Sequence, residues 1–408
     1  MNDKYNNAQK MIYKDEDVLK LEDLSHIVNL NLDSTNIEKE IREKFPIENY
    51  GDKEDPLKIK KSKSLYDNFF KNKGNKLDIR ETLDNIEYMG LSDRNEIILR
   101  FKGNSKAKDI VAKGTNKSRR DFLDLFSMAG FGTFCIKNNL KDLLKENIEQ
   151  LLPQFKNKTV QFRLIEYNNK WLIRGITSDK YKNYDNNIVL YLSLLSLNNY
   201  ALKERINFYV QNMSITDSEM YLSFEQENPI QIDGLGTLYF SILVVNSEIK
   251  ESAVNFNLRY RIVDKNNREF MGKPKTLSHS AVSINHSVSV KTAKNRLKDL
   301  FRLKEAQEEI LENIKYVKNT SQFTREALVE IMEKIVNNTT VFSSDTRTSM
   351  SKFYKEIAGN TVALIEALNR VEELSSNIDE RIYIQSIIHE VLWKAAKKEK
   401  SNVTNVTS

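Results

Sequence analysis

Residues 159–178, TVQFRLIEYNNKWLIRGITS, contain the pattern from which the fold can be worked out. Apolar and polar side chains alternate through TVQFRLIEY and again through KWLIRGITS, which is the period of a β-strand. Asn168 and Asn169 lie between the two runs, and asparagine tolerates the positive φ angles of a two-residue turn. The stretch therefore predicts an antiparallel hairpin. The next run, NIVLYLSLLSLNNYALK at 187–203, is apolar and predicts a buried helix.

Strand patterns continue outside these segments. Residues 86–101 alternate at period two on either side of SDRN, so a further hairpin is expected there. Residues 119–152 change to helical spacing, with a break expected at the Gly130–Gly132 turn. More strand patterns, rich in β-branched and aromatic side chains, follow in three runs: 204–226, 229–245 and 254–263.

Beyond about residue 291 the pattern becomes helical. Apolar side chains recur there at three- and four-residue spacing, at Leu300, Leu303, Ile310, Ile314 and Val317. Such a stripe cannot stay in water, so the helices either pack on the β-rich middle or join a second copy of the chain. An antiparallel helical hairpin or small bundle is expected. The whole pattern predicts an α+β fold, with a β-rich middle domain of antiparallel strands and a C-terminal helical region.

These patterns divide the chain into four segments: a polar N-terminal region with a basic connector at 1–80, an α+β core domain at 81–290, a helical region at 291–398 and a disordered tail at 399–408. In the first segment, Val18, Leu21 and Leu24 share one face of a short helix expected at 16–30. After Pro56 the basic stretch is expected to be an extended connector.

Composition excludes several classes of protein. The chain has 408 residues, 40% hydrophobic and 29% charged, which excludes collagen-like and wholly disordered classes. No apolar run reaches the roughly 18–20 residues of a membrane span. The acidic N-terminus lacks the apolar core of a signal peptide, so no membrane association is expected. The single cysteine, Cys135, fits a reducing cytoplasm, and its apolar neighbours favour a buried side chain over a nucleophile.

Motifs of catalytic and cofactor chemistry are missing from the sequence. It has no GxxxxGK[ST], no GxGxxG after a strand, and no HExxH, GxSxG or CxxC. Four histidines and one cysteine cannot build a zinc finger. His279 and His286 are seven residues apart, which places them on opposite faces of a strand and argues against joint metal binding. Phosphate or base contact by these histidines stays open, and no cofactor or metal is expected.

Positive charge is concentrated in the first third of the chain. Residues 58–76 carry seven lysines and one acid, and residues 100–120 carry eight basic residues and one acid. The net charge of the whole chain is only +6. Weaker basic surpluses lie at 259–275 and 291–304. Because clustered cations release counterions from nucleic acid, the two main windows predict a surface that binds phosphates.

Several residues in the main windows are candidates for nucleic-acid binding: Lys60, Lys61, Lys63, Tyr66, Lys71, Lys73, Lys106, Lys108, Lys117, Arg119 and Arg120. The lysines would attract the backbone, and the tyrosine ring could stack on an unpaired base. Lysine reads base edges less well than arginine, so any binding should be only weakly sequence-specific. The alternative is a solvated linker, docked on the core through Phe69 and Phe70.

The segment that begins at Arg174, RGITSDKYKNYDN, is a further candidate site. Arg174, Lys180 and Tyr181 would place two cations and one aromatic ring on a short exposed turn, where they could contact a phosphate or base. The alternative is a structural loop in which Asp185 or Asn186 caps the following helix.

The same segment resembles the uncharacterised phage/plasmid-like protein family, which is found in phages, prophages and plasmids. The resemblance lies in a strand ending in arginine, a Ser-Asp-Lys-Tyr turn and an Asp-Asn pair: Arg174, Ser178, Asp179, Lys180, Tyr181, Asp185 and Asn186. Three further stretches are similar in the same order: SMAGFGTFCIKNNL (127–140), VVNSEIKESAVNFNLRYRIVDKNN (244–267) and NTVALIEALNRVEELSS (360–376).

The resemblance spans residues 120–395, and the first 80 residues lie outside it. The chain departs from the family at one turn. The family has a turn similar to Cys-Thr-Asn-Gly there, and this chain has Asp264–Asn267. The family implies a mobile-element origin, and hence the cytoplasm of a bacterial host, often beside replication and recombination genes. It implies no activity, and it carries no catalytic residues over.

Two functional classes are therefore expected. The leading one is a phage- or plasmid-encoded protein of DNA metabolism that binds, anneals or protects single strands without covalent chemistry. The other is a structural or interaction protein that self-assembles through residues 291–398. An enzyme such as a nuclease comes third, because no motif marks a metal-binding set of carboxylates.

Overall fold

A computed structural model describes the chain over residues 18–28, 36–71, 74–103, 109–250, 252–275, 277–317, 321–357 and 363–407. Its strands, in chain order, are β1 (Ile59–Lys60), β2 (Lys76–Thr82), β3 (Ile86–Leu91), β4 (Ile97–Phe101), β5 (Val111–Gly114), β6 (Thr159–Tyr167), β7 (Lys170–Ser178), β8 (Phe208–Ile215), β9 (Glu219–Gln226), β10 (Ile230–Ile232), β11 (Gly236–Ser247), β12 (Val254–Val263), β13 (Glu269–Gly272) and β14 (Ala281–Ile284).

The α-helices are α1 (Asn36–Lys44), α2 (Ser62–Lys71), α3 (Asn116–Asp124), α4 (Ala129–Lys137), α5 (Lys141–Leu151), α6 (Asn186–Glu204), α7 (Val290–Leu297), α8 (Leu303–Ile314), α9 (Ser321–Val336), α10 (Ser344–Ile357), α11 (Leu364–Glu372) and α12 (Ile378–Thr407). Short 3-10 helices connect several of these elements, the longest being Leu21–Val28. Two mixed sheets followed by helices confirm the α+β class.

The smaller sheet has six strands in the order β2-β6-β7-β5-β4-β3. Both predicted hairpins are present in it. Strands β6 and β7 are antiparallel around Asn168 and Asn169, whose φ angles are 50° and 57°, and β3 pairs with β4 across residues 92–96. A separate hydrophobic core, which includes Phe122, Leu144 and Phe162, fills the space between this sheet and helices α3–α5.

The helical stretch 119–152 is interrupted at other places than the one expected. The glycine-containing segment is inside α4. Breaks lie on either side of that helix, at residues 125–128, where Ser127 takes a φ of 58°, and at residues 138–140, where Asn139 takes a φ of 56°. Gly132 is needed inside the helix for space, because a Cβ there would approach the side chain of Leu123 to 2.3 Å. The glycine signal therefore reflects close helix packing rather than a turn.

Over the residues that the structure describes, the larger sheet has eight strands. Its main path is β1-β8-β9-β11-β12-β13, with β10 added to β11 and β14 added to β12. Helix α6 is buried along nearly its whole length, as its sequence predicts, and packs in the core of this sheet. Its Tyr191 hydroxyl donates a hydrogen bond to the carbonyl of Phe45 at 2.6 Å, which joins the N-terminal region to the same core.

The basic stretch after Pro56 is not an extended connector. Residues 62–71 form helix α2, with Leu65 and Phe69 buried against the core of the larger sheet. Amphipathic spacing explains the helix, because the two apolar residues are four positions apart and therefore share a face. The N-terminal helix expected at 16–30 is present as the 3-10 helix Leu21–Val28, in which Leu21 and Leu24 are buried.

The C-terminal helices cover their apolar stripe within the chain. Leu300, Leu303, Ile310 and Ile314 are each at most 4% exposed and belong to the core of the larger sheet. Helix α12 continues to Thr407, so a helix replaces the disordered tail expected at 399–408. Among the described residues, no helix is long and apolar enough to cross a membrane.

Candidate functional site

The first basic window lies at the β1 edge of the larger sheet. Lys60 forms an ion pair with Glu227 at 2.7 Å, and the Lys61 ammonium lies 5.3 Å from the centre of the Tyr209 ring. Lys63 and Lys71 project from the outer face of α2 and are exposed. Tyr66 is half-buried, with its ring centre 4.3 Å from that of Phe70. Lys73 lies outside the described residues.

The second window lies on the smaller sheet and the start of α3. Lys106 and Lys108 are outside the described residues, and Lys117 is half-buried. Arg119 donates a hydrogen bond to the carbonyl of Asn95 at 2.7 Å, and burial lowers the pKa of Arg119. Arg120 lies 3.9 Å from Asp124 and is exposed. Apart from Lys76, which begins β2 of the smaller sheet, the first window therefore lies on the larger sheet and the second on the smaller one.

The third candidate segment is mostly buried. Arg174 is 1% exposed and Tyr181 is 9% exposed, so neither lies on an exposed turn as the sequence suggested; Lys180 alone of the three is exposed. The Tyr181 hydroxyl donates a hydrogen bond to the carbonyl of Ser247 at 3.3 Å, and its ring stacks on His286 at 4.7 Å. These contacts favour the structural alternative for this segment.

A buried ionic cluster surrounds Arg163, a residue that sequence reasoning did not single out. Its guanidinium donates to both carboxylate oxygens of Asp78, at 3.0 and 3.1 Å, and to both of Asp185, at 2.7 and 2.6 Å. Asp185 occupies the N-cap position of α6 as predicted, but its side chain makes no cap hydrogen bond there. The carboxylate is bound to Arg163 instead.

Glu248 is the second centre of the same cluster. It follows β11 of the larger sheet and is fully buried. Its carboxylate accepts hydrogen bonds from Lys76 at 2.8 and 2.9 Å, from Arg174, and from the backbone N–H of Asn186 at 2.9 Å. Burial alone would raise the pKa of Glu248, but the charges of Lys76, Arg174 and Arg163 hold it well below its usual range.

The cluster is charge-balanced and joins the two sheets. Its three cations and three carboxylates are Lys76, Arg163, Arg174, Asp78, Asp185 and Glu248. Gly175 allows the close approach, because a Cβ there would lie 2.7 Å from the Ile249 side chain. A balanced buried cluster has no surplus charge with which to attract a ligand, so its geometry is that of a structural junction.

The two histidines do not form a joint site. His286 is buried against Tyr181, with its Nδ1 3.1 Å from the carbonyl of Lys182, and burial lowers its pKa to about 4. His279 is partly exposed and lies beside Arg302 and Glu305. Within the described part of the chain, no group of three or more His, Cys, Asp or Glu side chains is placed to hold a metal ion. Cys135 is buried, as its apolar neighbours predict.

A cavity of about 340 Å³, lined by apolar and polar side chains, lies between the larger sheet and the first turns of α12. Strand β12 contributes Arg259, which is 5% exposed, and α12 contributes Arg381 and Gln385. Sequence reasoning did not identify these residues, although the basic surplus at 259–275 includes Arg259. That signal is weak because a count of cations does not separate Arg259 from Arg261 and Arg268, which form ion pairs with acids of the fold.

Comparison with protein-family models, with curated proteins and with solved structures finds no match to this chain.

Proposed function

We propose that the protein binds nucleic acid, preferentially single strands, through exposed lysines of the two basic windows and without covalent chemistry. The observation that carries the proposal is the placement of Lys58, Lys63, Lys71 and Lys113. All four are exposed, and among the described residues no ion pair holds their ammonium groups. Free surface cations of this kind attract a phosphate backbone, whereas the buried Arg174 cannot.

The local geometry of α2 suits a backbone contact. Lys63, Asp67 and Lys71 follow one another at four-residue spacing, so they share the outer face of the helix. Asp67 reduces the local charge, which favours weak binding through several lysines over one strong site. Tyr66 is accessible enough to contact a base at the edge of this surface.

The competing function, self-assembly through residues 291–398, has less support. The apolar stripe that motivated it is covered by the chain's own core, with Leu303 fully buried. A covered stripe offers no surface to a second copy. The resemblance to the phage/plasmid-like family implies no activity, but the replication and recombination genes that often lie beside its members fit strand protection or annealing in DNA metabolism.

Charge reversal tests the proposal. We expect the triple variant Lys58→Glu, Lys63→Glu and Lys71→Glu to weaken binding of an oligo-dT strand, followed by fluorescence anisotropy over a range of salt concentrations. The slope of log K against log salt should fall by about 0.7 for each phosphate that the variant no longer neutralises.

A matched control carries the same change of net charge outside the windows, at the exposed residues Lys137, Lys156 and Lys170. This variant should keep most of the affinity. Equal losses in both variants would indicate only a long-range effect of net charge. Absence of binding by the wild-type protein at low salt would refute the proposal.

A further inference from the structure

The cavity beside α12 has the size and lining of a small-molecule site. Its volume of about 340 Å³ lies in the range typical of ligand pockets. The wall combines apolar side chains, such as Met213 and Leu243, with polar groups, such as Ser223 and Gln385. It is separate from the surface lysines of the proposed nucleic-acid interface.

Arg259 is the unusual member of the wall. Its Nη1 lies 3.4 Å from the amide oxygen of Gln385, its Nη2 donates to the hydroxyl of Ser223, and its Nε has no hydrogen-bond partner in the described structure. The buried arginines Arg163 and Arg174 each contact a carboxylate. No carboxylate of the described residues forms an ion pair with Arg259.

The nearest acids are already engaged by other groups. Both oxygens of Glu225 accept hydrogen bonds from Arg261, at 2.9 and 2.6 Å. Glu372 accepts from the backbone N–H of Met271 at 2.9 Å and from Gln385 at 2.7 Å. The carboxylates of Glu372 and Glu225 therefore act on Arg259 without contacting it, and burial outweighs their effect on its pKa. This is a costly arrangement that a bound anion would relieve.

Other cations lie close to Arg259. Burial, together with the charges of Lys275 and Arg259, lowers the pKa of Lys273 to about 8. Burial likewise lowers the pKa of Arg259 to about 10. Arg381 lines the same cavity with a half-exposed side chain, 3.9 Å from Glu372. Two guanidinium groups at one cavity favour a doubly charged anion.

We propose that this cavity binds the phosphate group of a small organic phosphate, with Arg259 as its buried ligand and Arg381 as its solvent-side ligand. Arginine is suited to phosphate because its planar fork donates two parallel hydrogen bonds. The Ser223 hydroxyl accepts from Arg259 and donates to the amide oxygen of Gln211 at 2.8 Å, so it orients the guanidinium. The apolar wall accommodates the organic part. The site is a binding site, and no bond is made or broken in it.

The test uses the full chain and two probes, phenyl phosphate and inorganic phosphate, in isothermal titration and thermal melts. We expect wild-type protein to bind phenyl phosphate and to melt at a higher temperature in its presence. Arg259→Met should weaken this binding by at least about thirtyfold, as loss of a buried charged partner does. Tighter binding of phenyl phosphate than of inorganic phosphate identifies an organic ligand, and equal binding identifies free phosphate.

The melting temperature without ligand separates a binding residue from a structural one. Since Arg259→Met removes an uncompensated buried charge, the unliganded variant should melt no lower than wild type. Arg296→Met, which changes an arginine on α7 outside the cavity, serves as the control and should bind both probes normally. If Arg259→Met fails to fold, Arg381→Gln tests the same cavity from its solvent side. The proposal is overturned if neither probe binds wild type, or if Arg259→Met and Arg381→Gln bind them unchanged.

Discussion

Glu248→Gln is the most informative single change at the junction of the two sheets. Glutamine preserves the shape of the side chain but removes the charge that Lys76 and Arg174 share. Arg174 is fully buried and Lys76 is about one-fifth exposed, so their charges would lose their counterion in a dry environment. Removing one partner of a buried ion pair costs about 3–5 kcal/mol of unfolding free energy, and we expect a loss of that size here.

The two tryptophans provide a separate reporter for each core. Trp171 lies on β7 of the smaller sheet, and Trp393 lies on α12 beside the core of the larger sheet. Urea unfolding, measured in Trp171→Phe and Trp393→Phe backgrounds, would follow each core alone. In the parent chain we expect the two transitions to coincide. With Glu248→Gln they should separate, because the variant weakens the contact that couples the sheets.

The pH dependence gives an independent check. The pKa of Glu248 is lower in the folded state than its ordinary value of 4.5, so its stabilising effect is present above about pH 4.5 and is lost as the pH falls. The parent and variant should therefore converge in acid. The control is Glu356→Gln, which breaks an exposed pair with Arg370 and should cost about 0–1 kcal/mol. A loss below about 1 kcal/mol for Glu248→Gln, or a loss unchanged by pH, would refute the assignment of this cluster as a structural junction.

Three other sets of buried positions can be tested by stability measurements. Burial lowers the pKa of His389 from 6.5 to about 4. Between these values the unfolded chain binds more protons than the folded one, so stability falls as the pH drops from 6.5. In urea titrations, His389→Gln should remove up to about 3 kcal/mol of that loss. Gly175→Ala should lower the unfolding free energy by about 1–3 kcal/mol, because its Cβ would meet Ile249, and Ile249→Ala should recover part of that loss. As a control in the same thermal melts, Gly130→Ala should be neutral or stabilising, because its Cβ would meet no atom within 4 Å. Leu303→Asp should unfold the C-terminal helices in circular dichroism; a folded variant of altered oligomeric size by light scattering would instead support an exposed stripe.

The features that sequence predicted correctly depend on neighbours along the chain. The turn at Asn168–Asn169, the hairpin at residues 86–101 and the buried helix α6 each follow from periodicity and turn chemistry within about twenty residues. Helix α2 replaces the expected connector because Leu65 and Phe69 have helical spacing and bury one face, which outweighs the charge of the lysines around them.

The position of Arg174 could not be predicted in the same way. Strand β7 is shifted in register against β6, since Arg163 pairs with Gly175 while Leu164 pairs with Ile173. Arg174 is the extra residue of this β-bulge, and a bulge redirects a side chain relative to simple alternation. Its partner Glu248 is 74 residues away. Neither the bulge nor that partner is visible in a local pattern.

The four arginines show why counting cations in a sequence is a weak guide to function. Arg163, Arg174 and Arg261 each contact a carboxylate, so their charges are neutralised inside the fold. Arg259, two residues from Arg261 on the same strand face, forms no such ion pair among the described residues, and both oxygens of the neighbouring Glu225 are bound by Arg261. A cation is therefore available to a ligand only when no acid of the protein pairs with it. Only the folded structure shows which acids are already paired with other cations. By that criterion the exposed lysines of α2 and the buried Arg259 are among the charges of the described residues that no ion pair holds, and the two proposed sites can be tested independently with their own variants.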